Sequence, residues 1–125
     1  MKLDHKTASK IASEILKKEG YKVFIDKKVK DDFSIDLFAV RGSEAVAIEF
    51  KPETRIDTFD VMTFRSYTSA LEADPSIQSA KVHKLLVYKD ATLQAGTLSK
   101  SYGIELIAAA KPEEFAKELL KATKK

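Results

Sequence analysis

The chain has 125 residues, enough for one domain with a sizeable core and short for two. An apolar share of 44% and a charged share of 33% describe a globular protein with a polar surface, and the absence of cysteine excludes disulfides and thiolate zinc sites. The net charge of +3 is uneven: residues 1–34 carry nine lysines against six acids, residues 35–75 four basic against eight acidic groups, and residues 76–125 nine lysines against five acids.

From Asp4 to Glu19 the apolar residues Ala8, Ile11, Ala12, Ile15 and Leu16 recur at helical spacing, with Asp4 as N-cap and Gly20 as the residue that ends the helix. The opening residues have no apolar run of the kind a secretory signal needs, and no later stretch could span a bilayer, so a cytoplasmic location is expected. Tyr21–Ile25 reads as a strand, continuing loosely through Val29. Lys27, Lys28 and Lys30 follow; they are candidates for phosphate contacts, or they protect an edge strand from pairing with another chain. Asp31 and Asp32 read as turn residues.

The stretch from Ile35 to Lys51 reads as two strands joined at Gly42-Ser43, a pair suited to a two-residue type II′ turn. In that register Arg41 faces Glu44 and Asp36 faces Glu49, with Lys51 two residues on and on the same face. Ile35, Leu37, Ala39, Val46, Ile48 and Phe50 form an apolar set expected to share the opposite, buried face. Residues directly opposed on paired strands have Cβ atoms roughly 4.5–5.5 Å apart, so two carboxylates held there repel one another. A hard divalent cation with oxygen ligands would relieve that repulsion; an exposed salt-bridge cluster is the plainer alternative.

Pro52 is expected to end the strand, because it cannot donate to a ladder. Asp57 then caps a helix running to about Ala73, whose Val61, Phe64, Ala70 and Leu71 would pack over the hairpin. Arg55 and Arg65, the only arginines after the hairpin turn, offer forks of donors that suit phosphate. Asp74-Pro75 makes a turn before a strand from Val82 to Tyr88 with a fully apolar centre. Residues 92–102 are helical or irregular, Ile104–Ala108 is a short strand, and Pro112 opens a last helix with Lys121, Lys124 and Lys125 at its end. The expected fold class is therefore α/β, in the order α-β-β-β-α-β-α-β-α, with a mixed sheet flanked by helices and no second domain.

Asp36, followed at the end of the next strand by Glu49-Phe50-Lys51, resembles the motif of the PD-(D/E)xK nuclease superfamily, which includes restriction endonucleases and archaeal Holliday-junction resolvases. Ile35 stands where that motif has its proline. The resemblance implies a restriction-endonuclease-like fold and a metal-dependent nuclease, acting on DNA in the first instance, with Asp36, Glu49 and Lys51 catalytic. It implies Mg²⁺ or Mn²⁺ held by Asp36, Glu49 and the backbone carbonyl of Phe50. Members often place a first-helix glutamate in the site. Ser9 occupies that place here, which leaves Glu14 and His5 as the candidates on this helix. The helix after the lysine often adds a polar group, for which Arg65, Tyr67 and Thr68 are available. Relatives of this size commonly work as homodimers, so a homodimer is implied by analogy.

An acidic centre between basic flanks suits such an enzyme on a polyanion, although ordinary solvated faces would look the same. The rival from another class is a catalytically inactive nucleic-acid-binding or assembly module on the same fold, kept open by Ser9. The chain has no Gly-rich phosphate loop, no paired histidines at metal spacing and no G-x-S-x-G elbow, so other chemistries lack their parts.

Overall fold

Helix α1 spans His5–Lys18, beginning where the Asp4 side chain accepts a hydrogen bond from the Thr7 N–H at 2.7 Å. Its Ala8, Ala12 and Leu16 form the buried stripe, and Gly20, with φ at +90°, lets the chain turn away at the far end. In this computed structural model residues 3–30, 33–75, 77, 81–108 and 111–123 are described. The expected turn at Asp31-Asp32, the terminal lysines Lys124 and Lys125 and the Lys30 side chain lie outside that description.

After α1 come β1 (Lys22–Lys30), β2 (Phe33–Arg41), β3 (Glu44–Ile56), α2 (Thr58–Glu72), β4 (Lys81–Ala91), α3 (Leu93–Ser101), β5 (Ile104–Ala108) and α4 (Pro112–Thr123). This is the element order read from the sequence. The five strands lie in sequence order in one sheet. β1, β2 and β3 pair antiparallel, whereas β3, β4 and β5 run parallel, joined through α2 and α3. Leu16, Leu37, Ile48, Phe50, Phe115 and Leu119 belong to one core cluster, under α1 and α4. Ile56, Val61, Phe64 and Leu86, with Phe38, Ala47 and Leu71 beyond them, make up the clusters under α2 and α3. The sheet is therefore buried on both faces, which is why Phe38, Ala45 and Ala47 are as apolar as the residues that alternate with them.

The β2–β3 hairpin turns at Gly42-Ser43 with Arg41 paired to Glu44, and Gly42 alone of the two has positive φ, at +59°, as the expected turn requires. Two expectations are corrected. β3 does not end at Pro52 but continues to Ile56, because the proline falls inside a bulge: Lys51 pairs with Tyr88 and Arg55 with Asp90, so the missing N–H interrupts the ladder where it is already irregular. Ile35 does not share the face of Leu37. It packs with Phe38 and Leu71 on the α2 side, so the alternation of β2 breaks at Asp36.

α2 begins with a reciprocal capping box, Asp57 accepting from the Asp60 N–H at 3.2 Å and Asp60 accepting from the Asp57 N–H at 2.9 Å. Replacing Asp57 by Ala should cost about 1 kcal/mol of folding free energy. Urea unfolding monitored by circular dichroism would measure it, and a loss near zero would mean that packing alone sets the start of α2.

Candidate active site

The site follows from where the hairpin stops pairing. β2 and β3 are paired from Arg41↔Glu44 only as far as Leu37↔Ile48. Beyond that point β2 remains paired to β1 and β3 to β4, so the two strands fork. Asp36 and Glu49 are the first residues past the fork. They do not face each other as a ladder pair, as the simple register implied. Instead the Asp36 N–H donates to Glu49 Oε1 at 3.2 Å, and the Phe50 N–H donates to Asp36 Oδ2 at 2.8 Å. Each carboxylate thus accepts from a backbone N–H of the facing strand, beyond the last β2–β3 pair.

Burial, then the Asp36 negative charge and a hydrogen bond with its side chain, push the Glu49 carboxyl up to about 8; the Asp36 N–H and the Lys51 ammonium pull the other way. The expected closeness of the two acids is therefore met, and Lys51 is near enough to act on Glu49. Lys51 is partly buried and makes no salt bridge with a described residue.

Of the first-helix candidates, His5 reaches Asp36: its Nε2 lies 3.2 Å from Asp36 Oδ2, and its ring meets Phe50 edge-on at 5.7 Å between centroids. Glu14 is exposed and lines the same cleft of about 540 Å³ farther along α1, together with Ser9 and Lys10. Asp26, which sequence reading passed over, also lines this cleft. It lies between Ile25, paired to Leu37, and Lys27, paired to Ile35, and so is across the strands from Asp36, with φ at +52°. An acid in the middle of a strand, a position that disfavours Asp, was the signal available for it. The larger cavity, about 760 Å³ between α3 and β5, is lined by none of these acids.

The remaining candidates are held elsewhere. Arg55 pairs with Asp90 at 3.6 Å, and Arg65 stacks on Tyr102 at 4.5 Å from the ring centre. Tyr67 of α2 packs against the cluster of Ile35 and Phe38, and Thr68 is fully buried with its hydroxyl donating to the Arg65 carbonyl. The Lys27 ammonium lies 5.7 Å from the centre of the Phe24 ring, and Lys28 is exposed.

Among the described residues no group of three or more His, Cys, Asp or Glu side chains forms a metal cage. Two adjacent carboxylates, one of them raised by burial and then by the charge of the other, fit instead the sparse protein ligation typical of Mg²⁺, which keeps waters and takes substrate oxygens. A closed zinc-type site does not fit these residues.

The architecture is that of a restriction-endonuclease-like nuclease fold. No family model and no curated protein matches the chain. Among solved structures it is similar to a repair endonuclease from Pyrococcus abyssi, with a TM-score of 0.66 and 19% identity over 88% of this chain and 49% of that one. It is similar also to EndoMS in a complex with double-stranded DNA, with a TM-score of 0.59 and 19% identity over 89% of this chain and 48% of that one. Can2 from Sulfobacillus thermosulfidooxidans, in complex with cyclic tetra-adenylate, gives 0.68 and 13% over 96% of this chain and 36% of that one. The chain spans about half the length of the two endonucleases or less.

The folded chain keeps a proton on Glu49 that the unfolded chain gives up near 4.5, so stability falls as pH rises from there towards about 8, by up to roughly 1 kcal/mol per pH unit. Glu49→Gln should flatten that decline and melt higher than the parent at pH 8. Paired thermal melts at pH 5 and pH 8 test this; parallel pH slopes in the two proteins would contradict it.

Proposed function

We propose that the protein is a metal-dependent nuclease that hydrolyses phosphodiester bonds of DNA, with Asp36, Glu49 and Lys51 as its catalytic groups. The observation that carries this reading is the fork itself: two carboxylates pressed together, one of them raised to about 8, with a lysine beside them. Asp36 and Glu49 would hold Mg²⁺ or Mn²⁺, joined by the backbone carbonyl of Phe50. Bound there, the ion acidifies water and offsets charge on the phosphate. The Phe50 N–H orients Asp36 and the Asp36 N–H orients Glu49, so both carboxylates would be held in place for the cation. Lys51 orients or deprotonates the attacking water, or neutralises charge developing on the phosphate oxygens.

DNA as substrate is supported by the shared fold with proteins described as endonucleases, one of them in complex with double-stranded DNA. Lys27, Lys28 and Lys30 on β1 are proposed as phosphate contacts, worth affinity without sequence information. A homodimer is proposed by analogy with nucleases of this size. The inactive binding module draws on one observation, Ser9 on the cleft-facing side of α1 where a carboxylate would complete the site.

Plasmid, single-stranded and branched DNA incubated with Mg²⁺, Mn²⁺ or EDTA test the reading. Cleavage should require the cation, and Asp36→Ala and Lys51→Ala should each lower its rate by about 100-fold or more while DNA is still bound. Cleavage in EDTA, or undiminished in both variants, would overturn the reading; metal-independent binding with no cleavage by the parent would favour the module.

A further inference from the structure

We propose that His5 is a positioning residue for Asp36, fixing the orientation of the carboxylate that would hold the cation; this rests on the reading of Asp36 and Glu49 as ion ligands. At Oδ2 the Asp36 carboxyl accepts from the Phe50 N–H at 2.8 Å and meets His5 Nε2 at 3.2 Å, and the same carboxyl hydrogen-bonds the Glu49 side chain. With Nε2 protonated, the imidazole donates to Oδ2, and two donors arriving from different elements fix the plane of the carboxylate. Without the imidazole, the Phe50 N–H would be the one donor on Oδ2, and terminal torsions of this kind have broad wells.

Burial does not hold His5 in place, because its side chain is 57% exposed. Three other constraints do. Asp4 caps the helix whose first residue is His5, and Leu3, just before the cap, is buried in the core at 1% exposure. The His5 ring lies edge-on to Phe50, and Phe50 lies edge-on to Phe115 of α4 at 6.4 Å between centroids. The position of α4 is thereby relayed through two aromatic rings to the donor on Asp36. His5 itself is not a ligand in this arrangement, because the ring nitrogen nearest the site is committed to the carboxylate. An imidazole ligand would also shift the site towards softer ions than Mg²⁺.

The test is Mn²⁺ binding without DNA, measured at pH 8 from the free-ion EPR signal, for the parent, His5→Ala, His5→Gln and Asp36→Ala; metal-free melts establish that each variant is folded. His5→Ala should weaken Mn²⁺ affinity about 10-fold or more. His5→Gln, whose amide nitrogen can stand near the Nε2 position, should recover most of it, and pulsed EPR of the bound ion in the parent should show no imidazole coupling. Parent-like affinity in His5→Ala, no recovery in His5→Gln, or an imidazole coupling that His5→Ala abolishes would each overturn the positioning role. Should the parent bind no Mn²⁺, or Asp36→Ala bind it equally well, the nuclease reading of the site falls and this inference falls with it. Loss in Asp36→Ala beside parent-like His5→Ala overturns only the inference.

Discussion

The separation of β2 from β3 after Leu37↔Ile48 is the constraint on which the site depends. A continuous ladder would pair the Asp36 and Phe50 N–H groups with backbone carbonyls and leave their neighbouring carboxylates to solvent. Once the strands part, those donors need acceptors in a partly buried place, and the acidic side chains supply them. One geometric event thus orients both acids, brings them together and removes water from Glu49. Its raised pKa is the electrostatic cost of that arrangement.

The rest of the fold maintains the fork. On one side β2 stays bound to β1, and on the other β3 stays bound to β4, so neither strand can close over the gap. Ile35 turns under α2 while Leu37 remains under α1, and this change of side accompanies the bend at Asp36. Pro52 and the bulge beside it keep β3 irregular just beyond Lys51. Asp26, in a left-handed conformation across from Asp36, adds a second irregularity on β1. A strained non-glycine residue of this kind persists only where its surroundings over-determine it.

Charge follows the same division. Of the acidic middle of the sequence, Asp36 and Glu49 meet at the fork, while Asp57 and Asp60 cap α2, Glu44 pairs with Arg41 and Glu72 with Lys84; the two later arginines are used within the protein, one against Asp90 and one on Tyr102. The cleft that leads to Asp36 is lined by Lys6, Lys10 and Lys17 of α1 alongside Glu14 and Asp26. Its lining is therefore mixed in sign, and the basic flanks of the sequence do not condense into one uniformly positive wall there.

The sequence by itself determined the order of elements, the hairpin at Gly42-Ser43 and the nearness of Asp36, Glu49 and Lys51. These are local properties: periodicity, capping residues and a two-residue turn act over a few positions, and the turn carries its register outward without help from distant residues. Only the tertiary structure decided that the pairing stops at Leu37, that β3 runs through Pro52, and that His5, rather than Glu14, reaches Asp36. Those outcomes come from residues far apart in the chain competing for the same space: β1 and β4 draw the hairpin strands apart, and Phe115 sets Phe50, against which the His5 ring lies. No pattern within a single segment records such a competition.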